Sequence, residues 1–117
     1  TGRINTLPHF ERTMQAAGLT QSVLAIVGNS PEIAASWKEP NAMCFIDGGH
    51  GREVARNDYL SWTPHIAAGG ILAIHDVFSD PALGGQAPFE EIYSPAIASG
   101  KFVDVSATGS LRVLKRV

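Results

Sequence analysis

Three uninterrupted apolar runs constrain this chain more than any other feature: Ser22-Val23-Leu24-Ala25-Ile26-Val27, Ala42-Met43-Cys44-Phe45-Ile46 and Ile71-Leu72-Ala73-Ile74. Apolarity that is continuous rather than alternating is the mark of a strand buried on both faces, as in a parallel sheet covered by helices. The segments between the runs read as those helices. Residues Pro8 to Ala17 carry a helical pattern that stops at Gly18, a residue suited to the left-handed position after a helix. Ser30-Pro31-Glu32 reads as an N-cap, a proline at the first helical position and an acid in the first turn, and this helix ends near Trp37, before Pro40. From Arg52 to Ala67 the residues Val54, Ala55, Tyr59, Leu60, Trp62 and Ile66 share one helical face, with a bend or end at Pro64 and a stop at Gly69-Gly70. A Gly- and Pro-rich loop from Ser79 to Pro88 precedes a helix from Phe89 to Ser99. Phe102–Val105 and Leu111–Leu114 flank Thr108-Gly109-Ser110 and read as a hairpin. Strands alternating with helices and closing on a hairpin predict an α/β domain with a mainly parallel sheet.

A chain of 117 residues is one domain or part of one. With 44% hydrophobic and 17% charged residues, it has the material for a packed core. Nine Lys and Arg against eleven Asp and Glu give a net charge of -2, so the basic excess of a phosphate-neutralising protein is missing and no nucleic-acid partner is expected. Cys44 is the single cysteine; it has no partner for a disulfide or a CxxC site, which suits a reducing compartment, and the cytoplasm is the expected location. No apolar run approaches the roughly 20 residues of a membrane helix, so no membrane association is expected. The start, Thr1-Gly2-Arg3-Ile4-Asn5, has neither an initiator Met nor a signal-peptide stretch and reads as a processed chain or a piece of a longer one. Walker, GxSxG and HExxH motifs do not occur.

In open parallel sheets, ligands bind at the carboxyl ends of the strands, where loops and helix N-termini converge. The three runs end in Gly28-Asn29-Ser30, in Asp47-Gly48-Gly49-His50 and in His75-Asp76, which puts the chemistry-bearing residues on one edge. Asp47 has the chemistry to accept hydrogen bonds from an amine or hydroxyl or to ligate a hard cation, and an Asx-type turn cap is an equal alternative. His75 beside Asp76 suits a general base or a metal site, against a hydrogen-bonded strand-end pair. His50 either lines the pocket or caps the following helix. Asp58 reads as a structural residue forming hydrogen bonds or ion pairs on its helix face. Trp37, Trp62 and Phe45 read as core, and Cys44 as a buried, inert thiol.

The series Phe45-Ile46-Asp47-Gly48-Gly49-His50, Asp58, Trp62, Gly69-Gly70 and Ile71-Leu72-Ala73-Ile74-His75-Asp76-Val77 resembles the C-terminal part of class I S-adenosylmethionine-dependent methyltransferases, in the group with an IDGxH…D…W…GGxxxxHD pattern. Gly84-Gly85-Gln86-Ala87-Pro88 and the ending Gly109-Ser110-Leu111-Arg112-Val113-Leu114 also look like bacterial members. The resemblance runs from about Leu7 onward. It implies a Rossmann-like sheet of family order 3-2-1-4-5-7-6, of which this chain holds strands 3 to 7, the last two as an antiparallel hairpin. The first two strands would be missing, and with them the glycine-rich cofactor loop and the acid that holds the ribose; no GxGxG follows a strand here.

Carried over residue by residue, the resemblance places Gly28, Asn29 and Ser30 beside the adenine of S-adenosylmethionine, and Asp47, Gly48, Gly49 and His50 near its sulfonium end and the acceptor. In metal-dependent relatives, acids at the two central strand ends hold magnesium; here the corresponding positions offer Asp47, His75 and Asp76, and the imidazole departs from magnesium's preference for oxygen. The other role is for His75 to take the acceptor's proton while Asp76 orients it, and this ranks above metal ligation. The leading expectation is methyl transfer to an oxygen of a small molecule, from a chain that is part of a longer enzyme, with a homo-oligomer as a further option. A truncated, non-catalytic domain serving as an interaction or oligomerisation module is the alternative, and another nucleotide-dependent α/β enzyme such as a reductase is third.

Overall fold

The computed structural model describes residues 6–48 and 51–117. Helix α1 (Leu7–Ala16) ends as the sequence predicts: Gly18 takes the left-handed conformation, at φ +70°. Helix α2 (Ser30–Ser36) starts one residue earlier than expected, because the capping side chain is Asn29. Its Oδ1 accepts from the Glu32 backbone N–H at 3.2 Å, satisfying one of the donors that a helix start leaves free.

Strand β1 (Asn41–Ile46) leads to α3 (Arg52–Trp62), which a single 3-10 turn (Thr63–His65) joins to β2 (Ile66–Ile74). The helix therefore stops before Pro64, and Gly69-Gly70, expected to close it, lie inside β2. They accommodate an irregularity there: Asn41 pairs with Ile66, but Met43 pairs with Ile71. Gly69 sits at φ +82°, and a Cβ on Gly70 would stand 2.8 Å from the Ala67 carbonyl oxygen and 3.0 Å from that of Ala42. The expected last helix divides into a π-helical turn (Phe89–Tyr93) and α4 (Ser94–Ala98). Then β3 (Phe102–Thr108) and β4 (Leu111–Arg116) form the hairpin.

The four strands form one mixed sheet in the order β1-β2-β4-β3, with β1 and β2 parallel and β4 antiparallel to both neighbours. Cys44, Leu72, Leu114 and Asp104 make a transverse row on one face. On that side Ile46, Leu72, Ile74 and Leu114 pack with Ala55 of α3, Ile92 of the π turn and Ala96 of α4. The opposite row is Met43, Ile71, Lys115 and Val103, and Met43 and Val103 are largely exposed. The expectation that the apolar runs are buried on both faces therefore fails on the far face of β1. Phe45, read as core, is 51% exposed on that face, since the helices following β1 and β2 pack on the Leu72 side.

The run from Ser22 to Val27 is not a strand. It carries no ladder partner, and Leu24 and Val27 are 82% and 78% exposed. β-propensity describes fit to a neighbouring pleated surface rather than an intrinsic backbone preference, and no described strand lies beside this run. The sheet accordingly has four strands among the described residues where five were expected.

Three ion pairs among the described residues hold α3 against the π turn: Arg52 with Glu90, Arg52 with Glu91 at 3.6 Å, and Arg56 with Glu91, the last through Nε–Oε2 at 3.1 Å and Nη2–Oε1 at 3.3 Å. The hydrogen bonds and charge of Arg56, aided by Arg52, hold the Glu91 carboxyl below the ordinary glutamate range, against a smaller opposing effect of burial. A depressed folded-state pKa stabilises above the unfolded carboxylate pKa, and that contribution disappears as pH falls through the folded value. We expect Arg56→Ala to move Glu91 titration upward, measured by carboxyl NMR, and to flatten the acid limb of the stability profile. The melting temperature at neutral pH should change little, because exposed pairs contribute little there.

Candidate active site

β1 and β2 run parallel and in register, so their carboxyl ends emerge together. Ile46 pairs with Ile74, and the His75 backbone N–H donates to the Ile46 carbonyl at 3.2 Å. The next residues on each strand, Asp47 and His75, are thereby brought side by side. His75 Nδ1 lies 3.1 Å from Asp47 Oδ1 and 3.1 Å from Asp76 Oδ2. Asp76 adopts φ +58°, the left-handed region that Asp tolerates better than most residues, and its carboxylate reaches the imidazole of the residue before it. The His75 and Asp47 side chains remain 44% and 50% exposed, open to a ligand. Phe45 stands edge-on to the His75 ring, at a centroid distance of 6.3 Å.

Ionised carboxylates accept hydrogen bonds and donate none. With two of them 3.1 Å from Nδ1, a neutral imidazole that carries its proton there keeps a lone pair at Nε2 for a substrate proton. The three donor groups also lie within 4.8 Å of one another, close enough to share a cation. Two carboxylates and an imidazole suit manganese, iron or zinc better than magnesium, which favours oxygen ligands. Base and ligand are competing uses of the same ring nitrogen pair, because a cation at Nδ1 displaces its proton.

A groove of about 520 Å³ runs along the outer edge of β1, with Ser30, Asp47, Gly48, Asp58 and Trp62 among its lining residues. Of the residues assigned to cofactor binding from the sequence, Ser30, Asp47 and Gly48 share this groove. Asn29 uses its side chain as the cap of α2, and Gly28 packs near Ile33, whose Cδ1 is 3.2 Å from where a Cβ would stand. Gly49 and His50 lie outside the described residues. Cys44 is part-buried, and burial, helped by the charge of Asp58, pushes its thiol up to about 11, in keeping with an inert cysteine.

Asp58, read from sequence as a structural residue forming hydrogen bonds or ion pairs on its helix face, also lines the groove. Burial raises its carboxyl above the usual aspartate range, partly opposed by a hydrogen bond with Ser30. The signal available in the sequence was its spacing from Trp62, one helical turn away on the same face of α3.

The chain is an α/β fold on a four-stranded mixed sheet, with the polar carboxyl ends of its two parallel strands side by side. It superposes on the solved structure of a Clostridium thermocellum protein assigned as an rRNA-methylase with a TM-score of 0.62, covering 95% of this chain and 69% of that one at 14% identity. A family model described as a methyltransferase domain matches residues 3–77. The chain belongs to this family of class I S-adenosylmethionine-dependent methyltransferases. No helix among the described residues is long and apolar enough to cross a membrane.

Proposed function

We propose that this chain supplies the catalytic half of a methyltransferase that methylates an oxygen of a small molecule, with His75 as general base. The observation that carries the reading is the contact of one imidazole nitrogen with Asp47 and Asp76 at the paired ends of β1 and β2. S-adenosylmethionine supplies an electrophilic methyl group. Asp47, partly exposed beside Gly48, has the charge to face a sulfonium, and Ser30 brings a hydroxyl to the same groove. His75 Nε2 takes the acceptor hydroxyl's proton as that oxygen attacks, while Asp47 and Asp76 hold the ring and balance the imidazolium formed. Positioning of the acceptor supplies much of the remaining acceleration.

The sheet order β1-β2-β4-β3 supports reading these strands as the fourth, fifth, seventh and sixth of a seven-stranded sheet, with Val23–Val27 as the sequence of the third. On that reading the glycine-rich cofactor loop belongs to strands that pair with the open edge of β1. The same open edge, together with the exposed Leu24 and Val27, favours as a second reading a non-catalytic module that associates through it. The name of the Clostridium thermocellum neighbour raises a nucleic-acid acceptor, but at a net charge of -2 a small molecule fits better.

Calorimetry with S-adenosylhomocysteine on the native polypeptide tests the reading. Binding, together with methyl transfer to small hydroxylated acceptors, is the expected result; self-association with no binding would favour the module, and transfer to RNA alone would overturn the small-molecule acceptor. With His75 as base, exhaustive chelation should leave turnover unchanged. Loss of activity that returns on adding manganese would instead assign the cluster to a metal.

A further inference from the structure

Asp58 has an environment that a helix-face carboxylate does not need. It is half-buried beside Cys44 in a groove floored by the apolar edge of β1, and among the described residues no Lys, Arg or His pairs with it. Burial of an acid without a cation is unfavourable unless hydrogen bonds compensate. The compensation comes from a short relay. Trp62 Nε1 donates to Ser30 Oγ at 2.7 Å. An indole N–H only donates, so the serine oxygen is the acceptor there and its own proton is left for Asp58, whose carboxyl Ser30 lowers against the larger effect of burial.

The far side of the carboxylate meets the candidate active site. Asp58 Oδ2 stands 2.9 Å from where a Cβ on Gly48 would be, so any larger residue at 48 would push the carboxylate aside. Gly48 directly follows Asp47, the residue whose carboxylate contacts His75 Nδ1. We infer that Asp58 is a positioning residue: held by the Trp62–Ser30 relay, its carboxylate fixes the Asp47–Gly48 turn and through it the contact between Asp47 and His75. Helix α3 thus ties the start of α2 to the segment that carries Asp47, two parts of the chain that no sheet hydrogen bond connects.

The kinetic part of this inference rests on the proposed reaction; the structural part does not. In the native polypeptide, Asp58→Ala should lower kcat by about ten- to a hundredfold, the range expected of a small misplacement of a catalytic group, with acceptor KM and S-adenosylhomocysteine affinity nearly unchanged. Asp58→Asn, which keeps the shape and an acceptor oxygen, should restore much of the loss. The second readout is the His75 Nδ1–H resonance in 15N-edited NMR, which should be present in the wild type, lost through exchange in Asp58→Ala and recovered in Asp58→Asn. Ser30→Ala, which removes the relay at an exposed position without touching the core, should weaken the same resonance and serves if Asp58→Ala does not fold. Persistence of the resonance in a folded Asp58→Ala or Ser30→Ala protein would overturn the inference. A resonance that depends on Asp58 in a protein with no methyl transfer would keep the positioning role and overturn the proposed reaction.

Discussion

Replacing His75 by alanine should reduce methyl transfer by roughly 10²- to 10⁴-fold while leaving S-adenosylhomocysteine affinity within about twofold, because a general base acts on the acceptor's proton in the transition state and adds little to ground-state cofactor binding. The expectation follows from the distances. Both carboxylates lie 3.1 Å from Nδ1, so they hold the ring before the acceptor arrives and favour the tautomer with its proton on Nδ1. Alanine at 75 removes the proton acceptor and leaves Asp47 and Asp76 as two neighbouring anions with nothing between them. Single-turnover rates and calorimetry on the same preparation separate the two effects. Equal losses in rate and in cofactor affinity would mean that His75 shapes the binding site instead, and an unchanged rate would leave the proton to another group.

The second large effect is on stability. Leu72 has no exposed surface and lies mid-row between Cys44 and Leu114, under the cluster formed by Ala55, Ile92 and Ala96. Leu72→Ala should cost about 2–5 kcal/mol, the sum of lost apolar transfer and the cavity left behind. The upper half of that range is expected, because β2 is hydrogen-bonded on both sides and cannot easily collapse into the space. Denaturant titration measures it directly. Met43→Ala, at a position 58% exposed on the other face of the sheet, should cost far less. A similar cost at both positions would mean that the far face of β1 is covered in solution.

Several elements were legible in the sequence for reasons that lie within a few residues. Gly18 stops α1 because a left-handed residue is needed there, and Pro31 with Glu32 marks the first turn of α2. The runs ending in Asp47 and in His75-Asp76 became adjacent parallel strands, and their polar ends met as expected from the rule that ligands gather at carboxyl ends. Local signals misled where a partner decides the outcome. Ser22–Val27 has the apolar content of a buried strand, yet a strand exists only through the ladder it joins. The Gly69-Gly70 pair looks like a helix stop, yet it serves the register change between β1 and β2. Phe45 is as apolar as Ile46, but the helices pack on the side of Ile46 alone.

The sequence by itself determined the α/β class, the two parallel strands and the candidate residues Asp47, His75 and Asp76 at their ends, because periodicity, caps and strand-end chemistry are properties of short stretches. Only the tertiary structure decided which ring nitrogen faces the carboxylates, which face of β1 is buried, and that Asp58 belongs to the turn carrying Asp47. Those depend on contacts between residues far apart in the chain, Asp47 with His75 and Trp62 with Ser30, and contacts of that kind are fixed by strand register and helix packing, which no local pattern encodes.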